Sequence, residues 1–297
     1  MKKPSTQLKI SARNAGQVEL KKFCPRCCWY LLRLKNMPFR IGMPGIMFHL
    51  EAIQKAYILA RLLEDSELPR NFGPFSKCTE PVRFPFSFFH EHKKTGVLVT
   101  AQPDMMLRKE DGNICLLDLK TSKPDGGGKV WLPQYEIQCI GYSWVTEQNG
   151  IGKVGTAGLV YCSVRDDEFK ADPLKFKSGH GIVVPFDFEP HEVELDYPRF
   201  FKCLEEVNKV WKSDRPPAGT VGCEDCALLT RLCDFESQLR DTDQRFISAF
   251  PEQAHAVIQQ GFFRRQTRRG YEIGLQDLLS EDTWDQEGGM WANWQFS

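Results

Sequence analysis

Two aspartates and a lysine have the types and spacing needed for metal-assisted chemistry. Asp118 and Lys120 are separated by one residue in an apolar segment, and Asp104 lies a short distance upstream. Buried carboxylates cost free energy unless they are paired or bind a metal, and two close oxygen ligands suit Mg²⁺ or Mn²⁺. A neighbouring lysine can activate a water molecule or stabilise charge on a phosphate. This combination predicts metal-assisted phosphodiester hydrolysis. The alternative is a simple ion pair, because an isolated Asp-x-Lys pattern is common.

Two predicted strands position these groups. Residues 97–107 and 114–121 are largely apolar and flank a polar turn, which predicts a β-hairpin. Because side chains alternate along a strand, Asp118 and Lys120 share one face and Leu119 points away. Hairpin pairing is expected to bring Asp104 beside them. The apolar run before Asp118 indicates a strand that is buried on both faces.

A predicted helix over residues 134–149 follows a loop rich in Gly and Pro. Gln138 and Tyr142 are four residues apart and therefore share one face of this helix. That face can position a substrate phosphate or the lysine of the preceding strand. The alternative is a polar helix face that meets water, with Tyr142 packed at its edge.

The remaining segments indicate an α/β fold with a mixed sheet flanked by helices. Helices are predicted over residues 11–36, 45–64 and 190–213, and strands over residues 80–89, 156–164 and 181–188. His49 lies in the second of these helices. A single histidine in an apolar helix is usually a core residue, but beside two carboxylates it is a candidate third metal ligand.

The eleven cysteines favour metal ligation, because no secretory signal accompanies them to suggest a disulfide framework. Cys223, Cys226 and Cys233 have ligand-like spacing near the end of the predicted core. One early cysteine, from the group Cys24, Cys27 and Cys28, would complete a four-thiolate site. Such a site holds zinc or a [4Fe–4S] cluster equally well. The alternative is a set of free thiols.

Four motifs in a fixed order make the chain resemble the RecB-like branch of the PD-(D/E)XK nucleases. This branch includes CRISPR-associated RecB-like nucleases and the AddB nuclease domain. The motifs are Gly45-x3-His49, Pro103-Asp104, Asp118-Leu119-Lys120 and Gln138-x3-Tyr142. Ala101 departs from the pattern, because the family often has Gly there. The resemblance covers about residues 11–235.

The resemblance implies a restriction-endonuclease-like core and assigns a role to each motif. The residues implied to bind Mg²⁺ or Mn²⁺ are His49, Asp104, Asp118 and, through its carbonyl, Leu119. Lys120 is implied to assist the attacking water, with Gln138 and Tyr142 supporting the site.

The family pattern also implies a [4Fe–4S] cluster that joins the N- and C-terminal segments, with zinc as the alternative. Its implied ligands are Cys24, Cys223, Cys226 and Cys233. Cys24 is preferred to Cys27 and Cys28 because it begins the family's Cys-Pro-Arg pattern. The spacing of six residues before Cys233 departs slightly from the family.

The expected partner is DNA, single-stranded or with free ends, together with a helicase or a CRISPR integrase. The resemblance implies an exonuclease that prefers single strands. The alternative is a non-catalytic DNA-binding or scaffold subunit. The zero net charge gives no global argument for nucleic acid. The sequence lacks an apolar run of membrane-spanning length, so we expect a cytoplasmic protein without a membrane partner. We expect a nuclease domain over residues 1–235 and a C-terminal appendage of unknown role over residues 236–297.

Overall fold

The computed structural model describes residues 7–34, 45–124, 127–234, 237, 265–267 and 270–272. The chain divides into two compact units, Met1–Cys223 and Glu224–Ser297. The first unit is a mixed α/β structure of helices and mixed sheets. None of the helices in the described ranges is long and apolar enough to cross a membrane.

The described helices lie mostly in the first unit. They are α1 (Ala12–Ala15), α2 (Pro25–Leu34), α3 (Gly45–Asp65), α4 (Gly127–Gln148), α5 (Asp166–Ala171) and α6 (Tyr197–Lys212). Three short 3-10 turns occupy Gly16–Glu19, Arg70–Phe75 and Pro173–Phe176. In the second unit, residues 224–234 are helical.

The strands form two sheets and two small hairpins. The strands are β1 (Lys9–Ser11), β2 (Cys78–Pro81), β3 (Phe88–His92), β4 (Val97–Ala101), β5 (Met105–Lys109), β6 (Ile114–Lys120), β7 (Val154–Val164), β8 (Lys177–Ser178), β9 (Gly181–Ile182), β10 (Phe186–Val193), β11 (Arg265–Thr267) and β12 (Gly270–Glu272). The small hairpins are β8–β9 and, in the second unit, β11–β12. Most of the predicted appendage, residues 236–297, lies outside the described residues.

The five-stranded sheet has the order β10-β7-β6-β5-β2, with β6 at its centre. Strands β6 and β7 are parallel, and the other neighbours are antiparallel. Ile114 and Leu116 enter the core that contains α4, whereas Leu117 and Leu119 enter a second core on the opposite face with α3. The expected burial of β6 on both faces is confirmed.

The predicted single strand over residues 97–107 is wrong, because the structure has two strands there. Strand β4 belongs to a three-stranded sheet of order β1-β4-β3, and β5 belongs to the five-stranded sheet. Pro103 lies between them and has no N–H to continue a ladder. The hairpin of β5 and β6 is confirmed, with Met105 opposite Leu117. Asp104 therefore lies at a transition between sheets, immediately before β5.

Prolines also explain where other elements begin. The predicted helix over residues 11–36 is interrupted, and α2 starts at Pro25, whose fixed φ suits a first helical position. The predicted helix over residues 190–213 starts later, at Tyr197. Pro190 instead pairs with Val160 in the edge strand β10, where a missing N–H is tolerated.

Three further predicted boundaries differ from the structure. The predicted strand over residues 80–89 is two strands, β2 and β3, and the one over residues 181–188 is divided between β9 and β10. Helix α4 begins at Gly127, seven residues before the predicted start, and contains Pro133. The predicted helix over residues 45–64 matches α3 closely.

Helix α4 packs closely between α1 and α6 at Gly141. A Cβ atom at this position would lie 2.6 Å from the Ala12 Cβ and 2.8 Å from the Phe200 Cε2. Such distances are too short for a side chain, so glycine permits the close approach. The packing fixes α4 against the sheet, with Ile137 and Ile140 in the same core as Leu116.

Candidate active site and thiolate site

Asp118 is a buried carboxylate at the centre of the candidate active site. Its Oδ1 accepts a hydrogen bond from Gln138 Nε2 at 2.7 Å. Its Oδ2 forms an ion pair with Lys120 and has no other hydrogen-bond partner among the described residues. Burial raises the pKa of Asp118, the Lys120 charge opposes that shift, and the nearby Asp104 charge adds to it.

The Gln138 amide connects three polar side chains of the site. Its Oε1 accepts from Lys120 Nζ at 3.2 Å, and its Nε2 also donates to the Tyr142 hydroxyl at 3.1 Å. Burial raises the pKa of Tyr142 above its ordinary value, so the hydroxyl stays protonated. Lys120 Nζ also lies 4.1 Å from the centre of the Tyr135 ring, a cation–π contact. The lysine is therefore held on two sides.

Asp104 joins the site from the other strand of the hairpin. Its Oδ2 accepts from the Leu119 backbone N–H at 2.8 Å, and its Oδ1 lies 3.0 Å from Lys55 Nζ. Lys55 Nζ is also 2.5 Å from Glu51 Oε1. Burial alone would lower the pKa of Lys55, but the two carboxylates raise it above its ordinary value. The ammonium is therefore charged.

Glu51 and Lys55 were not identified from the sequence as site residues. The available signal was their spacing of four residues in the predicted helix, on the face that also carries Gln54 and Ile58. Gln54 is buried in the structure and donates to Thr121 Oγ1 at 3.2 Å, just past the end of β6. This contact fixes the helix face beside the carboxylates.

The structure does not bring His49 to the carboxylates. His49 is exposed, near the start of α3. The buried face of this helix carries Gln54, Ile58 and Leu62. With 3.6 residues per turn, His49 projects on the side away from that face. The other implied residues, Asp104, Asp118, Leu119, Lys120, Gln138 and Tyr142, are all brought together.

The donor set of the two aspartates fits a divalent cation such as Mg²⁺ or Mn²⁺. Asp118 Oδ2 is buried and paired with Lys120, and Asp104 Oδ1 is paired with Lys55. Two carboxylates in one site repel each other when both are charged, and a cation that binds both of them removes this repulsion. Metal would bind through Asp104 and Asp118, next to Lys120.

Two pairs of cysteines form a second candidate site, Cys24 with Cys27 and Cys223 with Cys226. The sulfur atoms of Cys24, Cys27, Cys223 and Cys226 all lie within 4.8 Å of one another. The sulfurs of Cys27 and Cys223 are 3.5 Å apart. This cluster joins the N-terminal segment to residues near position 225, as the sequence predicted.

The composition of the cluster corrects the expected ligand set. Cys233 is exposed and outside the group, and Cys27 supplies the fourth sulfur. Cys226 and Cys233 lie on one helix, where seven residues span about 10 Å along the axis. One compact site therefore does not include both. Cys28 is also outside, and burial raises the pKa of its thiol to about 12.

The two cysteine pairs are built in the same way. Cys24 directly precedes α2 and Cys27 lies in its first turn, and Cys223 and Cys226 have the same relation to the helix over residues 224–234. Helix N-termini carry partial positive charge, which favours thiolates. Gly222 adopts a φ of +75° in the turn before Cys223, a conformation that glycine adopts without strain.

The sulfur positions fit a metal centre. Four thiolates around one zinc ion at about 2.3 Å stand about 3.8 Å apart. The observed separations, up to 4.8 Å, are close to that arrangement. In a four-iron cluster each thiolate binds a different iron, so the same sulfurs would have to move apart.

Comparisons with known proteins assign no family. No known family profile matches the chain, and no curated protein matches it at a significant level. The solved structure of SSO0001 aligns with 72% of this chain and 81% of its own, at 16% identity and a TM-score of 0.34. A TM-score this low does not establish a common fold. The functional conclusion therefore depends on the side chains of the site.

Proposed function

We propose that this chain is a Mg²⁺- or Mn²⁺-dependent deoxyribonuclease with a restriction-endonuclease-like core. One observation carries the proposal. Two acidic side chains, Asp104 and Asp118, meet a lysine and a buried amide at the end of β6. Replacing a buried ion pair with apolar residues is often neutral or stabilising. A role in stability alone therefore does not explain the buried pair of Asp118 and Lys120.

In the proposed reaction, a divalent cation would supply Lewis-acid stabilisation of the phosphate and a more acidic water. Asp104 and Asp118 would hold the cation, and the Leu119 N–H fixes the Asp104 carboxylate. Lys120 stabilises the developing negative charge or orients the attacking water. Gln138 holds both Lys120 and Asp118, and therefore sets the distance between the cation site and the ammonium. Tyr142 holds Gln138.

The proposed substrate is DNA that is single-stranded or has free ends. The resemblance to RecB-like nucleases supports this substrate and an exonuclease mode that leaves 5′-phosphates. It also supports a helicase or a CRISPR integrase as the partner. The site residues are compatible with DNA, because a cation, a lysine and a positioned water together can hydrolyse a phosphodiester.

We propose that the four cysteines hold a [4Fe–4S] cluster, which the resemblance supports. Zinc is the second candidate, and the sulfur separations of at most 4.8 Å favour it. In either case the metal would stabilise the fold, because only the folded chain brings the four thiols together, so that the binding free energy adds to the folding free energy. Anaerobic purification followed by iron, sulfide and zinc analysis separates the two. A brown protein with iron and sulfide supports the cluster, and a colourless protein with stoichiometric zinc contradicts it.

The nuclease proposal is tested by Mn²⁺-dependent degradation of single- and double-stranded DNA. We expect Asp118→Asn and Lys120→Ala to lower the rate by at least about a hundredfold, as expected for loss of an acid–base or electrostatic group. Asp187→Asn, at an exposed position in β10, is the matched control and should retain full activity. Circular dichroism and thermal unfolding verify that each variant folds.

Unchanged degradation by both site variants would contradict the proposal. DNA binding by the wild-type chain without cleavage, in Mg²⁺ and in Mn²⁺, would identify it as a non-catalytic DNA-binding subunit.

A further inference from the structure

Lys55 occupies a position between two carboxylates. Its Nζ lies 2.5 Å from Glu51 Oε1 and 3.0 Å from Asp104 Oδ1. One ammonium therefore bridges α3 and the residue before β5. The two oxygen atoms therefore face the same ammonium nitrogen, one from each side of this bridge.

This bridge is accessible to solvent. The side chain of Lys55 is 30% exposed, that of Glu51 is 39% exposed and that of Asp104 is 20% exposed. A long flexible lysine at such a surface can leave and return without unfolding. The Asp118 carboxylate of the same site, by contrast, is buried and paired with Lys120. Exchange of one cation for another is therefore easiest at the Lys55 side of the site.

The backbone beneath Lys55 is held in place. Gln54 bonds to Thr121, and Ile58 is fully buried in the core shared with Leu119. Helix α3 consequently keeps the backbone of Glu51 and Lys55 in place whether or not Lys55 contacts Asp104. Glu51 lies one helical turn before Lys55, so both side chains lie on the same face of α3.

We propose that Lys55 is a built-in competing cation at the metal site. Its ammonium neutralises Glu51 and Asp104 in the metal-free protein, and an arriving divalent cation displaces it. Glu51 then becomes a further metal ligand, in the role that the exposed His49 does not fill. This inference rests on the metal site of the proposed nuclease and assigns it two residues, Glu51 and Lys55. The exchange involves no bond formation and no redox change.

The exchange predicts a measurable penalty on metal affinity. A site that lysine occupies nine-tenths of the time binds metal about tenfold more weakly than a free site. Replacing Lys55 removes the competitor and leaves the carboxylates without a compensating charge. Both effects favour a divalent cation.

The experiment measures Mn²⁺ binding to the full chain by calorimetry and by electron paramagnetic resonance. We expect Lys55→Met to lower the Mn²⁺ dissociation constant about tenfold. Lys170→Met is the matched control, because it removes the same charge from another i,i+4 pair, with Asp166, outside the site. Adding Glu51→Gln to Lys55→Met should reverse the gain, which isolates Glu51 as a ligand. Circular dichroism checks the folding of each variant.

Unchanged or weaker Mn²⁺ binding by Lys55→Met would overturn the proposal, as would a double variant that binds as tightly as Lys55→Met. Since the readout is binding, the outcome is separable from nuclease activity. Tighter binding by Lys55→Met in a chain that never cleaves DNA supports the competing cation and contradicts the nuclease. Cleavage of DNA by the wild type, without tighter Mn²⁺ binding by Lys55→Met, supports the nuclease and overturns the competing cation.

Discussion

The Gln138 Nε2 donates to Asp118 Oδ1 at 2.7 Å, and both side chains are almost fully buried. The same amide contacts Lys120 and Tyr142. A neutral side chain thus holds the charged pair in place from a different element, α4. Because the pair is buried, its geometry depends on this helix and not on solvent.

We expect Gln138→Ala to lower the free energy of unfolding by about 2–4 kcal/mol, because it leaves a cavity and buried polar groups without partners. Tyr142→Phe removes only one hydrogen bond and should cost about 0.5–1.5 kcal/mol. Urea denaturation measures both values. Since the two side chains share a bond, the double variant should lose less than the sum of the single losses. Strict additivity would show that the bond contributes nothing.

The thiolate cluster predicts different behaviour for two cysteines. Cys27→Ser should reduce bound metal strongly and lower the unfolding temperature, because it removes one of the four grouped sulfurs. Cys233→Ser should retain the metal, since its exposed side chain is outside the group. Metal analysis after anaerobic purification compares the two. Loss of metal in Cys233→Ser with retention in Cys27→Ser would restore the ligand set expected from the family pattern.

Gly141 provides a test of the packing that positions Gln138. We expect Gly141→Ala to lower the free energy of unfolding by about 1–3 kcal/mol, because the new methyl group would overlap Ala12 and Phe200. Gly181→Ala is the control, since a Cβ there meets no atom within 4 Å. Denaturant titration of both variants gives the comparison. A neutral Gly141→Ala would mean that α4 can shift at little cost.

His92 predicts a pH dependence of stability. Its ring stacks on Phe201 at 4.6 Å, and its Nδ1 lies 2.9 Å from Thr95 Oγ1. Burial lowers its pKa below the ordinary value, despite the opposing charge of Glu205. As the pH falls below about 6.5, His92 therefore becomes protonated in the unfolded chain before it does so in the folded protein. Stability is lost from that pH down to the lower pKa of the folded state.

We expect His92→Gln to reduce this loss, because glutamine can keep the contact with Thr95 but does not titrate. Denaturant unfolding at about pH 7 and about pH 5 gives the change for each protein, across the ordinary histidine pKa. Equal losses in the wild type and the variant would show that other groups control the acid sensitivity.

Periodicity predicted the part of the site that lies on regular elements. Alternation along β6 placed Asp118 and Lys120 on one face, and helical spacing placed Gln138 and Tyr142 on one face of α4. Both relations hold in the structure. They depend on neighbours within one element, which sequence spacing determines directly.

Contacts between distant elements were not predictable in the same way. The bridge from Lys55 to Asp104 depends on how α3 rotates against the sheet, and the sequence alone did not fix that rotation. His49 was expected at the site because of its motif, yet it lies on the opposite side of the same helix. Cys27 joined the cluster because α2 begins at Pro25, which places Cys24 directly before the helix and Cys27 in its first turn.

The sulfurs of Cys27 and Cys223 meet although 196 residues separate them in the chain. At a synthesis rate of 5–20 residues per second, the second pair leaves the ribosome about 10–40 seconds after the first. During that interval Cys24 and Cys27 form a two-thiol site without its other half. A metal at this site would therefore gain its full set of four thiols only after the second pair is synthesised, and a nascent chain that is stalled earlier carries an incomplete site.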